Sequence, residues 1–241
     1  MTMTRSRRLA LGALAVALLT NAAACGSSSS GSKHSGTTKP TGSQPLVGTF
    51  RITAGACTAG GPTGSYLRMV FPGGGIEQGK FFENPDSACT DKTYTVVQPG
   101  TDGGLVTGTY QPQPNPAFDA QGNALAARII KPQAFTAITF SVSTNPVDPQ
   151  SGHATTKATI SVDGGKLSGT IDALTASWNK QQFSQGSPKP DGSRPGLTRP
   201  ISGTYDATTH AFVLDWTSQV VGGPFNDFTG VWHLVGTFQP S

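Results

Sequence analysis

Ser177-Trp178-Asn179-Lys180 sets a serine and a lysine at the spacing of serine–lysine acyl transfer, where a neutral amine takes the hydroxyl proton. That chemistry needs a helix to aim the lysine at the serine, and the surrounding residues pattern as strand. The accompanying S-D-N and K-T-G motifs are absent, as are a G-x-S-x-G elbow, a phosphate-cradling loop, an EF-hand and a zinc motif. His153, His210 and His233 have no acidic residue at metal-ligand spacing, and His34 stands alone in a polar tract. No metal or cofactor is therefore expected. A catalytic set would have to assemble in space from the long loops, and its members are not named by the sequence.

Three residues read as candidate ligand contacts: Trp178, which polar residues from Asn179 to Gln182 follow, and Asn226 with Asp227. The latter two belong to Val220-Val221-Gly222-Gly223-Pro224-Phe225-Asn226-Asp227-Phe228-Thr229-Gly230. Two glycines and Pro224 force a turn there, and Phe225 and Phe228 are placed to tuck beneath it, giving an aromatic-pinned loop between two core strands. Trp216 shares a strand face with Phe212 and Leu214, and Trp232 shares one with Leu234 and Phe238. Both read as core rather than as sugar-stacking platforms. Trp178 shares a face with Leu174 and Ala176.

The elements that must hold these residues are strands. Alternating residues flank Asp163-Gly164-Gly165, a strong hairpin signal. Tyr94 to Val97 and Leu105 to Tyr110, around Asp102-Gly103-Gly104, are expected to form a second hairpin, and Ser202 to Tyr205 with Ala211 to Trp216 a third. A Gly-Thr pattern recurs in Leu46 to Phe50, Val106 to Tyr110, Leu167 to Ile171, Ile201 to Tyr205 and Leu234 to Phe238; the first and last copies are both LVGTF. Its glycine is expected where two backbones approach closely. Matching first and last strands could pair and close the sheet, removing exposed edges. Long loops interrupt at Gln111 to Gly122, Asn145 to Gly152 and Gln185 to Pro200. The expected fold is all-β, an antiparallel meander, barrel or sandwich with long Gly/Pro-rich loops.

Cys57 and Cys89 are expected to form a disulfide, leaving Cys25 as the odd cysteine. Arg5, Arg7 and Arg8 precede an apolar run from Leu9 to Leu19, then Ala22-Ala23-Ala24-Cys25. The run is shorter than the roughly 20 apolar residues of a spanning helix and has the layout of a secretory signal. It resembles the lipobox of bacterial lipoproteins, and with the Gly/Ser-rich tract behind it is similar to secreted actinobacterial lipoproteins. Alanine stands at 22 where that family most often has leucine. The resemblance implies an acylated Cys25, with palmitate-type lipid, as the new N-terminus. The other reading is A-x-A cleavage, a free Cys25 and a secreted product. Ser6-Arg7-Arg8-Leu9-Ala10-Leu11 also partly matches a twin-arginine export motif, so Sec and twin-arginine export both stand.

The division is a signal peptide over 1–24, a lipidated cysteine with a flexible polar tether over 25–45, and a single domain over 46–241, with a possible subdomain break near 145–152. From Leu46 to Ser241 there are 12 Lys and Arg against 13 Asp and Glu, so the net +4 of the whole chain belongs to the leader and tether. With no basic patch, nucleic acid is not an expected partner. The expected location is the extracytoplasmic face of the cell membrane, through the lipid. The expected role is a non-enzymatic module for a small molecule or an envelope protein. The alternative is a cell-envelope hydrolase with its residues on the long loops.

Overall fold

The longest strand, Thr229–Pro240, organises the fold because it serves two partners in turn along one edge. A computed structural model describes residues 42–241, and the expectations for the signal, for Cys25 and for most of the tether lie outside them. Thr229 to His233 pair antiparallel with Tyr66–Gly75, and Gly236 to Pro240 with Gly48–Ile52. Along its other edge runs Ala211–Gln219. Pairing continues through Arg199–Tyr205, Lys166–Thr170 and Thr159–Asp163.

Thr159–Asp163 then meets Gln44–Pro45, the strand just before Gly48–Ile52, so the pairing path returns to its start. The seam is sewn by Leu46 N–H donating to the Ile160 carbonyl at 2.8 Å and Gly108 N–H to that of Ala158 at 3.0 Å. The two LVGTF copies lie side by side, with Phe50 opposite Phe238. Gly236 is required by this neighbour: a Cβ there would collide with the Arg51 carbonyl oxygen. Gly203 abuts the Val213 carbonyl in the same way, at φ +149°. Close strand approach thus accounts for the glycine at 48, 169, 203 and 236, but not for Gly108, which lies past the end of its strand in a turn at φ +75°.

Alternation points one face of Gly48–Ile52, Ala211–Gln219 and Thr229–Pro240 inward. Phe50 is fully buried, its ring 5.0 Å from Phe212 and 4.9 Å from Phe238. Ile160, Leu167, Leu214 and Leu234 join it in the core. Trp216 and Trp232 are opposite each other in register and stack at 5.5 Å with 3° between planes. Beside the tryptophans the void is only about 10 Å³.

A second sheet, ordered Gln181–Ser184, Leu174–Trp178, Ile138–Thr144, Gln133–Phe135, packs against the tryptophan end. Both indole N–H groups need an acceptor once buried. Trp216 Nε1 donates to the Gln185 carbonyl at 3.0 Å and Trp232 Nε1 to Gln185 Oε1 at 3.1 Å. Gln185 follows the second sheet directly, so one residue ties the two sheets.

The hairpins at Asp163 and Asp206 form as expected. The second expected hairpin does not. Thr95–Val96 pairs with Tyr66–Gly75, while Gly104–Val106 pairs with Gly48–Ile52. The intervening backbone is drawn off elsewhere: Gly100 N–H donates to the Ile129 carbonyl and Thr101 N–H to that of Ala127. Local alternation was outcompeted by non-local partners. Cys57 and Cys89 form a disulfide, with Cα atoms 5.1 Å apart.

Candidate functional site

Phe140, Ala176 and Trp178 on the second sheet line an apolar pocket of about 50 Å³ with Phe135 and Phe183. Leu67, Met69 and Trp232 form its barrel wall. Trp178 is half-buried, and its Nε1 donates to the Phe135 carbonyl at 2.7 Å, fixing the indole and leaving its ring to line the pocket.

The loop after Gln219 forms one side of this pocket. Gly222 and Gly223 take φ +81° and +70°, a left-handed pair that folds the chain back. Phe225 then lies 5.3 Å from Trp178 and 5.7 Å from Phe183, ring to ring and near edge-on. Asn226 Oδ1 accepts from Gly222 N–H at 2.6 Å, and its Nδ2 donates to Asp227 Oδ2 at 2.9 Å. Asp227 N–H donates to the Val220 carbonyl at 3.0 Å. Asn226 and Asp227 are exposed, and these bonds hold the loop that carries Phe225. From outside, Gln150 Nε2 donates to the Val221 carbonyl and its Oε1 accepts from Ser184 N–H, both at 2.7 Å. A water needs about 10–15 Å³ of such space. The room therefore suits a few water-sized groups.

Beyond Ser184 and Val221 lies a second cleft, of about 500 Å³, from the Asn145 to Gly152 and Gln185 to Pro200 loops. Lys189 is 5 % exposed; its Nζ donates to the Ser184 carbonyl and to Ser218 Oγ, each at 2.7 Å. Burial pushes its amine down to about 8, against the opposing pull of Asp148 and Asp191. His153 also lines this cleft. Its ring makes no hydrogen bond with a serine or an acid among the described residues, so Ser151, Asp148 and His153 do not assemble a triad.

A third groove, of about 600 Å³, lies on the outer barrel face. Register sets Ser202, Asp215, His233 and Tyr66 in one cross-strand row. His233 Nδ1 is 2.7 Å from Asp215 Oδ1, and Tyr66 stacks on the imidazole at 4.6 Å. Burial, with Tyr94 and Asp215 nearby, raises the Tyr66 phenol, and Arg68 opposes this. Ser202 is across Asp215 from His233, so the pair has no adjacent serine nucleophile in this row.

Of the three candidate contacts, Trp178 lines the apolar pocket, and Asn226 and Asp227 belong to the loop on one side of it. Ser177 is buried and bonds Gln113 at 3.4 Å, while Lys180 occupies the following turn at φ +59°. No cluster of three metal-ligating side chains occurs among the described residues. Sequence reasoning missed Lys189 and the Asp215–His233 pair. The first carries no local signal; the second needs the exact strand register, since 18 residues separate the partners. No family model matches this chain, and neither a curated protein nor a solved structure matches it.

Proposed function

We propose that this chain is a lipid-anchored extracytoplasmic lipoprotein whose domain is a non-enzymatic binding module, taking an apolar ligand into the pocket behind Phe225. One observation supports the ligand reading: an almost wholly apolar, aromatic-walled pocket is lined in part by Phe225, on a loop that turns at Gly222 and Gly223. Burying apolar ligand surface is worth roughly 25 cal/mol per Å². In this reading a larger guest displaces the Phe225 ring, whose lost contacts stand against that gain, so exchange of one aromatic plug for a guest is energetically shallow. The anchor rests on Cys25 behind Ala22-Ala23-Ala24 and on the polar tract that follows.

Two experiments test this. Metabolic labelling with an alkyne fatty acid should mark the wild type and spare Cys25→Ser; equal labelling, or none, refutes the anchor. An environment-sensitive naphthylamine probe should bind saturably and at one site, more tightly in Phe225→Ala. Absence of binding in both proteins refutes the pocket reading.

A hydrolase reading has the Asp215–His233 pair in its favour, since an acid on Nδ1 leaves Nε2 free as a base. Ester hydrolysis abolished by His233→Asn with the fold intact would support it.

A further inference from the structure

The polar cleft beside the pocket holds a buried cation whose hydrogen bonding is incomplete. An ammonium has three donors. Lys189 Nζ places two, on the Ser184 carbonyl and Ser218 Oγ, and forms no ion pair among the described residues. In the same wall, Ser184 Oγ is buried without a hydrogen-bond partner. An unsatisfied buried hydroxyl is costly, and Ser184 Oγ beside an ammonium with a third N–H to place marks where a ligand completes the bonding.

The charges around them select the ligand class. Asp148 is fully buried behind the wall, its Oδ2 accepting from Ser151 N–H at 2.8 Å and Ser151 Oγ at 2.7 Å. Asp191 is exposed at the rim, its Oδ1 accepting from Ser193 N–H at 2.9 Å. These carboxylates repel an anion, and Lys189 repels a cation. A hydroxyl both donates and accepts, so a neutral polyol meets ammonium, carboxylate and serine together. Pro190, Pro195 and Val221 add the C–H surface that a sugar ring covers. The volume, about 500 Å³, falls in the usual small-molecule range of roughly 300–1,000 Å³.

We infer that the cleft floored by Lys189 and Ser184 is a site for a neutral saccharide. It is separate from the apolar pocket, and its occupancy does not require Phe225 to move. The tryptophans that composition would nominate for sugar stacking are elsewhere: Trp216 and Trp232 are 3 % and 2 % exposed in the core.

The test is amide-resolved NMR titration of the full chain with glucose, galactose, mannose and N-acetylglucosamine, with acetate, phosphate and magnesium as charged controls. At least one sugar should shift the amides of Ser184, Lys189 to Ser193 and Ser151 to His153 saturably, with Kd of about 1 mM. The controls should not. Asp191→Ala, at an exposed rim position, should keep the spectrum of the fold and weaken binding about tenfold; Lys189→Met should abolish it. If no sugar saturates these amides, or if phosphate, acetate or magnesium saturates them instead, the inference is overturned. Undiminished affinity in a folded Asp191→Ala or Lys189→Met overturns it as well.

Discussion

Replacing Lys189 by methionine should change how stability depends on pH, by an amount set by the burial of its amine. In the folded protein the amine is pushed from 10.5 down to about 8. The unfolded chain, with the ordinary value, binds one more proton than the native state between those limits. Stability therefore rises with pH through that window. Below about pH 8 both states are protonated, and the native state carries the full cost of burying the charge. At about 1.4 kcal/mol per pH unit, the difference between 10.5 and about 8 amounts to about 3 kcal/mol. Methionine has a similar length and no charge, so the variant lacks this term. Urea unfolding of both proteins at intervals from pH 7 to 10.5 isolates it, because the tyrosines, including the raised Tyr66 and Tyr205, titrate in both and cancel. The stability of the wild type relative to Lys189→Met should climb by about 3 kcal/mol across the range. A flat difference would refute the reasoning, and so would one that falls with pH: the first means a hydrated amine, the second a close carboxylate partner.

Gln185→Ala should cost about 1–3 kcal/mol, because the buried Trp232 indole N–H loses its acceptor; chemical denaturation measures it, and a neutral result would mean that another acceptor takes over. Phe225→Ala should lose about 1–2 kcal/mol, less than the 3–5 kcal/mol of a fully buried phenylalanine, because the ring is half-buried. Calorimetry of that variant should show a larger loss if Phe225 is a core residue rather than a plug. Removing the Cys57–Cys89 bridge in a double alanine variant should cost about 3–4 kcal/mol by chain entropy over its 32-residue span, read as a lower urea midpoint. A wild-type midpoint unchanged by reductant would contradict that estimate.

The all-β class was legible because each local signal agreed with it: Asp163-Gly164-Gly165 forms its hairpin, and the faces of Phe212, Leu214 and Trp216 and of Trp232, Leu234 and Phe238 are the buried ones. The two LVGTF copies do pair with each other, and each of their glycines has a close neighbouring strand. What failed was the pairing of Thr95–Val96 with Gly104–Val106, where Tyr66–Gly75 and Gly48–Ile52 offer better non-local edges. The aromatic loop was read correctly as pinned by Phe225 and Phe228, but the pocket beneath it was invisible. Its walls come from segments around 67, 135, 178 and 183, which share no sequence signature. Lys189 was equally hidden: its burial follows from the packing of a Ser-Pro-Lys-Pro-Asp loop against Ser184 and Ser218, and no periodicity encodes that.

The most direct measurement of the ligand-binding claim is native mass spectrometry of the protein purified from its natural envelope, alongside Phe225→Ala and a pocket-filling Ala176→Phe variant. The account expects a stoichiometric, non-covalent apolar mass on the wild type that is lost on denaturation, kept in Phe225→Ala and absent from Ala176→Phe. No non-covalent adduct on either the wild type or Phe225→Ala would contradict it, as would an adduct that survives filling of the pocket.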